Sequence, residues 1–186
     1  MSFIVPSSIA IAGSGPRQTA PRVFVHRWRP KRIMGADRSS TVSVSLRQAT
    51  ARDSEFPFQV KRAALGEYVR QVWGWDEEEQ WRLHQRRFAS QDFRVIVVAG
   101  ADSGILALSH GSDCLRVNQL LLLPEYQGRG FGTACMRQVI EDAARGGLPV
   151  RLQVLRVNRR AIEFYRRLGF RDVGEDEIHT RMEKLT

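Results

Sequence analysis

Leu120-Leu121-Leu122-Leu123-Pro124-Glu125-Tyr126-Gln127-Gly128-Arg129-Gly130-Phe131-Gly132 is the stretch that organises the whole chain. Its leucine run predicts the end of a buried strand, and Pro124, which cannot donate to a ladder, predicts the stop. Gly128 and Gly130 permit backbone conformations and close approaches that a side chain would obstruct. From there Phe131, Ala134, Cys135, Val139, Ile140 and Ala143 recur at helical spacing, predicting a helix over 129–145 that Gly146-Gly147 ends. A strand that passes through a glycine turn directly into a helix gathers free N–H groups at one point, which suits a phosphate. Arg129 adds charge there and Gly132 keeps the first turn uncluttered. A sharp structural turn would use the same glycines. No Gly-Lys-Ser/Thr follows, which argues against a nucleoside-triphosphatase loop. The alternate-residue spacing of Gly128, Gly130 and Gly132 does not match the dinucleotide fingerprint.

Upstream, Thr41 to Leu46 alternates as a strand, and Thr50-Ala51-Arg52-Asp53 reads as a polar exit able to cap a helix. Val60, Ala64, Tyr68, Val69 and Val72 define a helix over 58–72. After Trp73-Gly74-Trp75, Asp76 is the expected N-cap of a second helix whose first turn carries Glu77, Glu78 and Glu79. Phe93–Val98 and Ile105–Ser109 predict a hairpin with its turn at Ala101–Gly104. The next strand spans Leu115–Leu123. Downstream come a strand over 150–157, a helix over 158–168, and two antiparallel strands with a turn over 172–176. The order implies a mixed α/β domain over 41–186.

The formal charge of +9 is uneven: residues 1–40 carry seven basic residues against Asp37 alone. That segment, with Gly13, Gly15, Pro16, Pro21 and Pro30, reads as a basic, disordered N-terminal extension. A solvated tail, a phosphate-binding arm, or a product starting instead at Met34 are the readings it leaves open. The remaining residues lack an interleaved basic and aromatic surface motif, so nucleic acid is not expected as their partner. No stretch approaches the roughly 20 apolar residues of a membrane span, and the start lacks the charged opening of a secretory signal. Cys114 and Cys135 make neither a disulfide framework nor a metal set. The expectation is a cytoplasmic, metal-free protein, monomeric or homodimeric.

A second motif carries the functional reading. Asn158-Arg159-Arg160-Ala161-Ile162-Glu163-Phe164-Tyr165-Arg166-Arg167-Leu168-Gly169-Phe170 fills every fixed position of Asn-x-x-Ala-x-x-Phe-Tyr-x-x-x-Gly-Phe. Gln127, Gly130 and Gly132 likewise fill Gln/Arg-x-x-Gly-x-Gly/Ala. Together they resemble the GCN5-related N-acetyltransferase (GNAT) family over roughly residues 42–184. The resemblance implies a mostly antiparallel sheet of about seven strands flanked by about four helices. It also implies acetyl-CoA as acyl donor. The pyrophosphate would meet Gln127, Gly128, Arg129, Gly130, Phe131, Gly132 and Thr133, and the pantetheine Leu122, Leu123 and Asn158.

Direct transfer to a primary amine, on a small molecule or a peptide, follows from the same likeness. An N–H near Leu122 or Leu123 would stabilise the developing oxyanion, and Tyr165 would protonate the leaving thiolate. The other reading of Tyr165 is a packing residue. Ala161, Phe164 and Leu168 are expected to form the buried stripe of that helix. Trp73, Trp75 and Asp76 read either as an acceptor wall or as core anchors and a cap. The central strand offers Arg116, Asn118 and Gln119 where many relatives have an acidic base, so Glu77 is the substitute considered, against bulk water. His84 and His110 are expected to be structural or exposed. The different-class alternative is an acyl-CoA-binding or regulatory module without catalysis.

Overall fold

The computed structural model describes residues 31–34 and 41–186. The rest of the basic extension lies outside the described residues. Strand β1 (Lys31–Met34) is followed by β2 (Thr41–Gln48), α1 (Glu55–Trp73), α2 (Glu77–Ser90), β3 (Asp92–Val98) and β4 (Ala101–His110). Then come β5 (Leu115–Leu122), α3 (Phe131–Arg145), β6 (Val150–Leu155), α4 (Arg159–Arg167), β7 (Arg171–Glu175) and β8 (His179–Lys184). All eight strands join one sheet in the order β1-β2-β3-β4-β5-β6-β8-β7. Every pairing is antiparallel except β5 with β6. The expected sheet is therefore present from β2 onward, and Lys31–Met34 adds an edge strand to it.

Alternation along the strands divides the core between two faces. On one, Leu106, Leu108, Leu115, Val117, Val150, Leu152, Val154 and Met182 pack with Phe131, Cys135, Met136 and Val139 of α3 and Ile162 and Tyr165 of α4. On the other, Ile105, Ala107 and Phe93 pack with Val60 of α1, with Leu121 and Leu123 against them. The helices thus cover the sheet as two layers, α1 and α2 on one side, α3 and α4 on the other.

Two turns differ from the sequence reading. The β3–β4 turn is Ala99-Gly100, not Ala101–Gly104, and both residues have positive φ (50° and 86°). Such a pair matches the right-handed twist of a two-residue hairpin. Ser103 and Gly104 lie buried inside β4 instead. Near the C-terminus, residues 171–175 form edge strand β7, and the chain reverses at Asp176, whose Oδ1 accepts the N–H groups of Ile178 and His179 at 2.9 and 2.7 Å. That side-chain turn displaces the expected one by several residues.

The caps follow the sequence. Asp76 accepts the Glu79 N–H at 2.8 Å, and Thr50 and Asp53 exchange the bonds of a capping box. Between α1 and α2 lies a buried polar pair: Lys61, 5% exposed, donates to Gln80 Oε1 at 2.6 Å. Burial, then repulsion from Arg87, lowers the Lys61 pKa to about 8. The unfolded chain holds that proton more tightly, so stability should rise with pH between about 8 and the ordinary 10.5. Denaturant titrations at pH 7 and pH 10 should show wild type gaining up to about 3 kcal/mol relative to Lys61→Met. Parallel pH dependences would show that Lys61 titrates as it does in water.

Candidate functional site

The split in the sheet comes first. Strands β5 and β6 pair only at Leu115–Val150, Arg116–Arg151 and Val117–Leu152. Beyond that point β5 continues to Leu122 against β4 and β6 to Leu155 against β8, so the two arms diverge. A register shift against Ala107/Leu108 places Asn118 as an extra residue in β5. Such a bulge bends its strand, and here it lies where the arms part. It also reverses parity: Leu115 and Val117 share a face with Leu120 and Leu122, leaving Gln119, Leu121 and Leu123 toward α1.

Register decides which backbone groups face the split. The Leu123 N–H donates to the Ser103 carbonyl at 3.0 Å. In an antiparallel pair such bonded positions alternate, so Leu122, opposite Gly104, turns its N–H away from β4 toward β6. Of the two expected donors, Leu123 is therefore committed to β4 and Leu122 is directed into the opening. The Leu122 carbonyl accepts Gln127 Nε2 at 2.9 Å. That bond fastens the glycine turn to the end of β5.

The turn itself has the expected form. Gly128 and Gly130 have φ of 72° and 85°, in the left-handed region that favours glycine. Gly130 is the N-cap of α3 and offers no side-chain oxygen. The first intrahelical bond is Ala134 N–H to the Gly130 carbonyl at 3.1 Å. The N–H groups of Phe131, Gly132 and Thr133 thus precede the ladder. Phe131 contributes only its backbone, because its ring is 1% exposed in the core, with the Arg129 guanidinium 5.3 Å from its centroid. Arg160, in the first turn of α4, has its Nη2 3.7 Å from where a Gly128 Cβ would be, beside the turn. Phe164 and Leu122 similarly flank Gly132.

Asn158 caps α4 by accepting the Ala161 N–H at 3.0 Å. The buried residues of α4 are Ile162 and Tyr165, whereas Ala161, Phe164 and Leu168 are only partly buried. This corrects the predicted stripe: α4 rests on the sheet one position further round than its i, i+3, i+7 pattern suggests. Tyr165 is 8% exposed and meets Phe164 and Phe170 edge-on at 5.0 and 5.5 Å. Burial raises its phenol pKa above an ordinary value that already leaves it protonated at neutral pH. Cys135, fully buried on α3, has its thiol pushed up to about 12 and is no nucleophile.

The α1–α2 junction separates its residues. Trp73 is 43% exposed and lies 5.9 Å, ring to ring, from His179 of β8. Trp75 packs over Gly66 and donates to Glu77 Oε2 at 2.5 Å. Glu77 also receives Arg62 at 3.1 Å, in a groove with Ser54, Glu55, Phe58 and Trp81 that includes no residue of β5, β6, α3 or α4. Asp76 is engaged as the cap of α2. Only Trp73 reaches toward the C-terminal arm of the split. His84 is 2% exposed, its Nε2 2.6 Å from the Ser54 carbonyl, and His110 stands 3.6 Å from Asp92 at the far end of β5. His179 escaped the sequence reading because its placement depends on the β6–β8 register, which leaves no local signal.

A split sheet, a left-handed glycine turn and a helix start flanked by Arg160 can receive an extended chain ending in phosphate. A model of the Acetyltransferase (GNAT) family matches residues 54–170. Streptothricin acetyltransferase of Streptomyces lavendulae is 35% identical over 91 residues, covering 46% of this chain and 48% of that protein. The thialysine N-epsilon-acetyltransferase of Sus scrofa is 37% identical over 62 residues, 33% of this chain and 36% of that one. The chain thus aligns with no more than about half the length of either relative. Among solved structures, the PaiA N-acetyltransferase of Thermoplasma acidophilum in complex with coenzyme A superposes with a TM-score of 0.65 at 19% identity, covering 77% of this chain and 99% of that chain. A family acetyltransferase of Elizabethkingia anophelis with acetyl-CoA bound gives 0.59 at 12% identity, covering 77% and 98%.

Proposed function

The chain belongs to the GNAT acetyltransferase family, and from that premise we propose that it moves an acetyl group from acetyl-CoA directly to a primary amine. The observation that carries this reading is the divergence of β5 from β6, closed at one end by the turn at Gly128 and Gly130. The early N–H groups of α3 and the Arg160 guanidinium would hold the pyrophosphate, with the pantetheine along the gap beside Leu122 and Asn158. The Leu122 N–H would meet the charge that develops on the acyl oxygen. Tyr165, protonated at neutral pH, would supply the proton that the departing sulfur needs. Two of the matching relatives are named for acetylation of streptothricin and of the ε-nitrogen of thialysine. From them we take only the class of acceptor, an amine.

The test is incubation with acetyl-CoA and a panel of amines (lysine, spermidine and an alanine-initiated peptide), with acetylated product read by mass spectrometry. Product formation is the expected result. Calorimetric binding of CoA with no acetylation of any member would instead mark a binding module.

A further inference from the structure

Strand parity places the two ends of this reaction on opposite faces of the sheet. Tyr165 belongs to the α3–α4 face. On the α1 face the split is bordered by Gln119 and Leu121 of β5 and by Leu155 of β6, and His179 of β8 is registered directly opposite Leu155. Thr180 and Met182 of the same strand have the opposite parity, paired with Val154 and Leu152, and Met182 packs on the α3–α4 side. Contact with Trp73, the last residue of α1, confirms the side on which the imidazole lies. Gln119 Oε1 is buried and has no hydrogen-bond partner among the described residues. An orphaned acceptor at the parting of the strands suits the N–H of an incoming amine.

His179 is held from two directions. Asp176 Oδ1 stands 3.5 Å from its Nδ1 while accepting the backbone N–H groups of His179 and Ile178. Those backbone bonds, that of His179 first, keep the Asp176 carboxyl below its usual range, so it is ionised. Arg156 donates to the Asp176 carbonyl at 3.2 Å and faces Glu175 at 3.8 Å, while the side chain that α1 packs on the ring is the uncharged Trp73. With Nδ1 turned to Asp176, Nε2 is the nitrogen left to take a proton. Glu77 is engaged by Arg62 and Trp75, His84 lies inside an aromatic cluster, and His110 stands at the far end of β5.

We infer that His179, positioned by Asp176 and Trp73, accepts the proton of the attacking amine on the α1 face. The inference rests on the acetyl-transfer reading above. In the step, the amine nitrogen bonds to the acyl carbon and the carbon–sulfur bond breaks. The nitrogen's proton goes to His179 Nε2, directly or through one water, and the Tyr165 proton goes to the sulfur. Imidazolium and phenolate then exchange with solvent, which restores both residues.

The experiment uses the amine that wild type acetylates fastest from the panel. His179→Gln should lower kcat/KM for that amine about 10²-fold and displace the acid limb of the pH–rate profile. Its Tm and its calorimetric Kd for CoA should match wild type. Added imidazole should restore part of the rate in His179→Ala, a response that loss of packing alone does not give. A His179→Gln enzyme with the wild-type rate and pH profile overturns the assignment and leaves acetyl transfer standing. If CoA binds and no amine is acetylated by wild type, the transfer reading falls and this assignment falls with it.

Discussion

Tyr165→Phe should lower kcat by two orders of magnitude or more while leaving the KM for acetyl-CoA close to wild type. The substitution removes one oxygen. The ring stays between Phe164 and Phe170, so neither the core nor the placement of α4 has reason to change. What disappears is the phenolic proton, which burial binds more firmly still. General acid assistance contributes about 10²- to 10⁴-fold, and a thiolate leaving without it would have to take its proton from water. Steady-state kinetics with the best acceptor, alongside thermal melts of both proteins, separates chemistry from folding. A variant that acetylates at the wild-type rate would return Tyr165 to packing alone.

Gly104→Ala should cost the fold about 3 kcal/mol or more, toward the upper end of what overpacking does. The reason is local and severe. A Cβ at Gly104 would lie 2.3 Å from the Leu121 carbonyl oxygen and 3.0 Å from the Leu122 Cα, and both are backbone atoms of the neighbouring strand. Relief requires the end of β5 to move off β4. That segment carries the Leu122 carbonyl to which Gln127 is fastened, so the glycine turn would move too. A fall in Tm of roughly 10 °C is expected for a domain of this size, together with weakened CoA binding in calorimetry. Gly146→Ala is the control, since its Cβ would find only ordinary contacts from 3.5 Å outward. Equal melts for the two variants would refute the argument.

What was readable in the sequence was the local physics. The leucine run, the glycine turn and the caps at Asp76 and Asn158 each depend on a few neighbouring residues, and each was found where expected. What was not readable depends on partners. The bulge at Asn118 exists only relative to Ala107 and Leu108 on another strand. The commitment of the Leu123 N–H to Ser103, against the outward turn of Leu122, follows from a register that no single strand specifies. Trp73 and Trp75 look equivalent as letters, yet one packs over Gly66 and the other reaches His179 some hundred positions later. The hairpin turn was misplaced because Asp102, Ser103 and Gly104 resemble turn residues. In the fold Gly104 is there to let two backbones approach.

The three residue pairs that join β5 to β6 also make the sheet a mechanical object with a seam. On one side of it stand five strands, on the other three, each panel stitched along its length by antiparallel rungs. Pulled apart, the domain would open first along this short zipper, while the panels stayed intact. A chain-like guest lying along the gap would extend the zipper past Val117 and Leu152 and act as a clasp. Occupancy and cohesion would then be one property, with the empty protein breathing at the seam and the loaded one fastened.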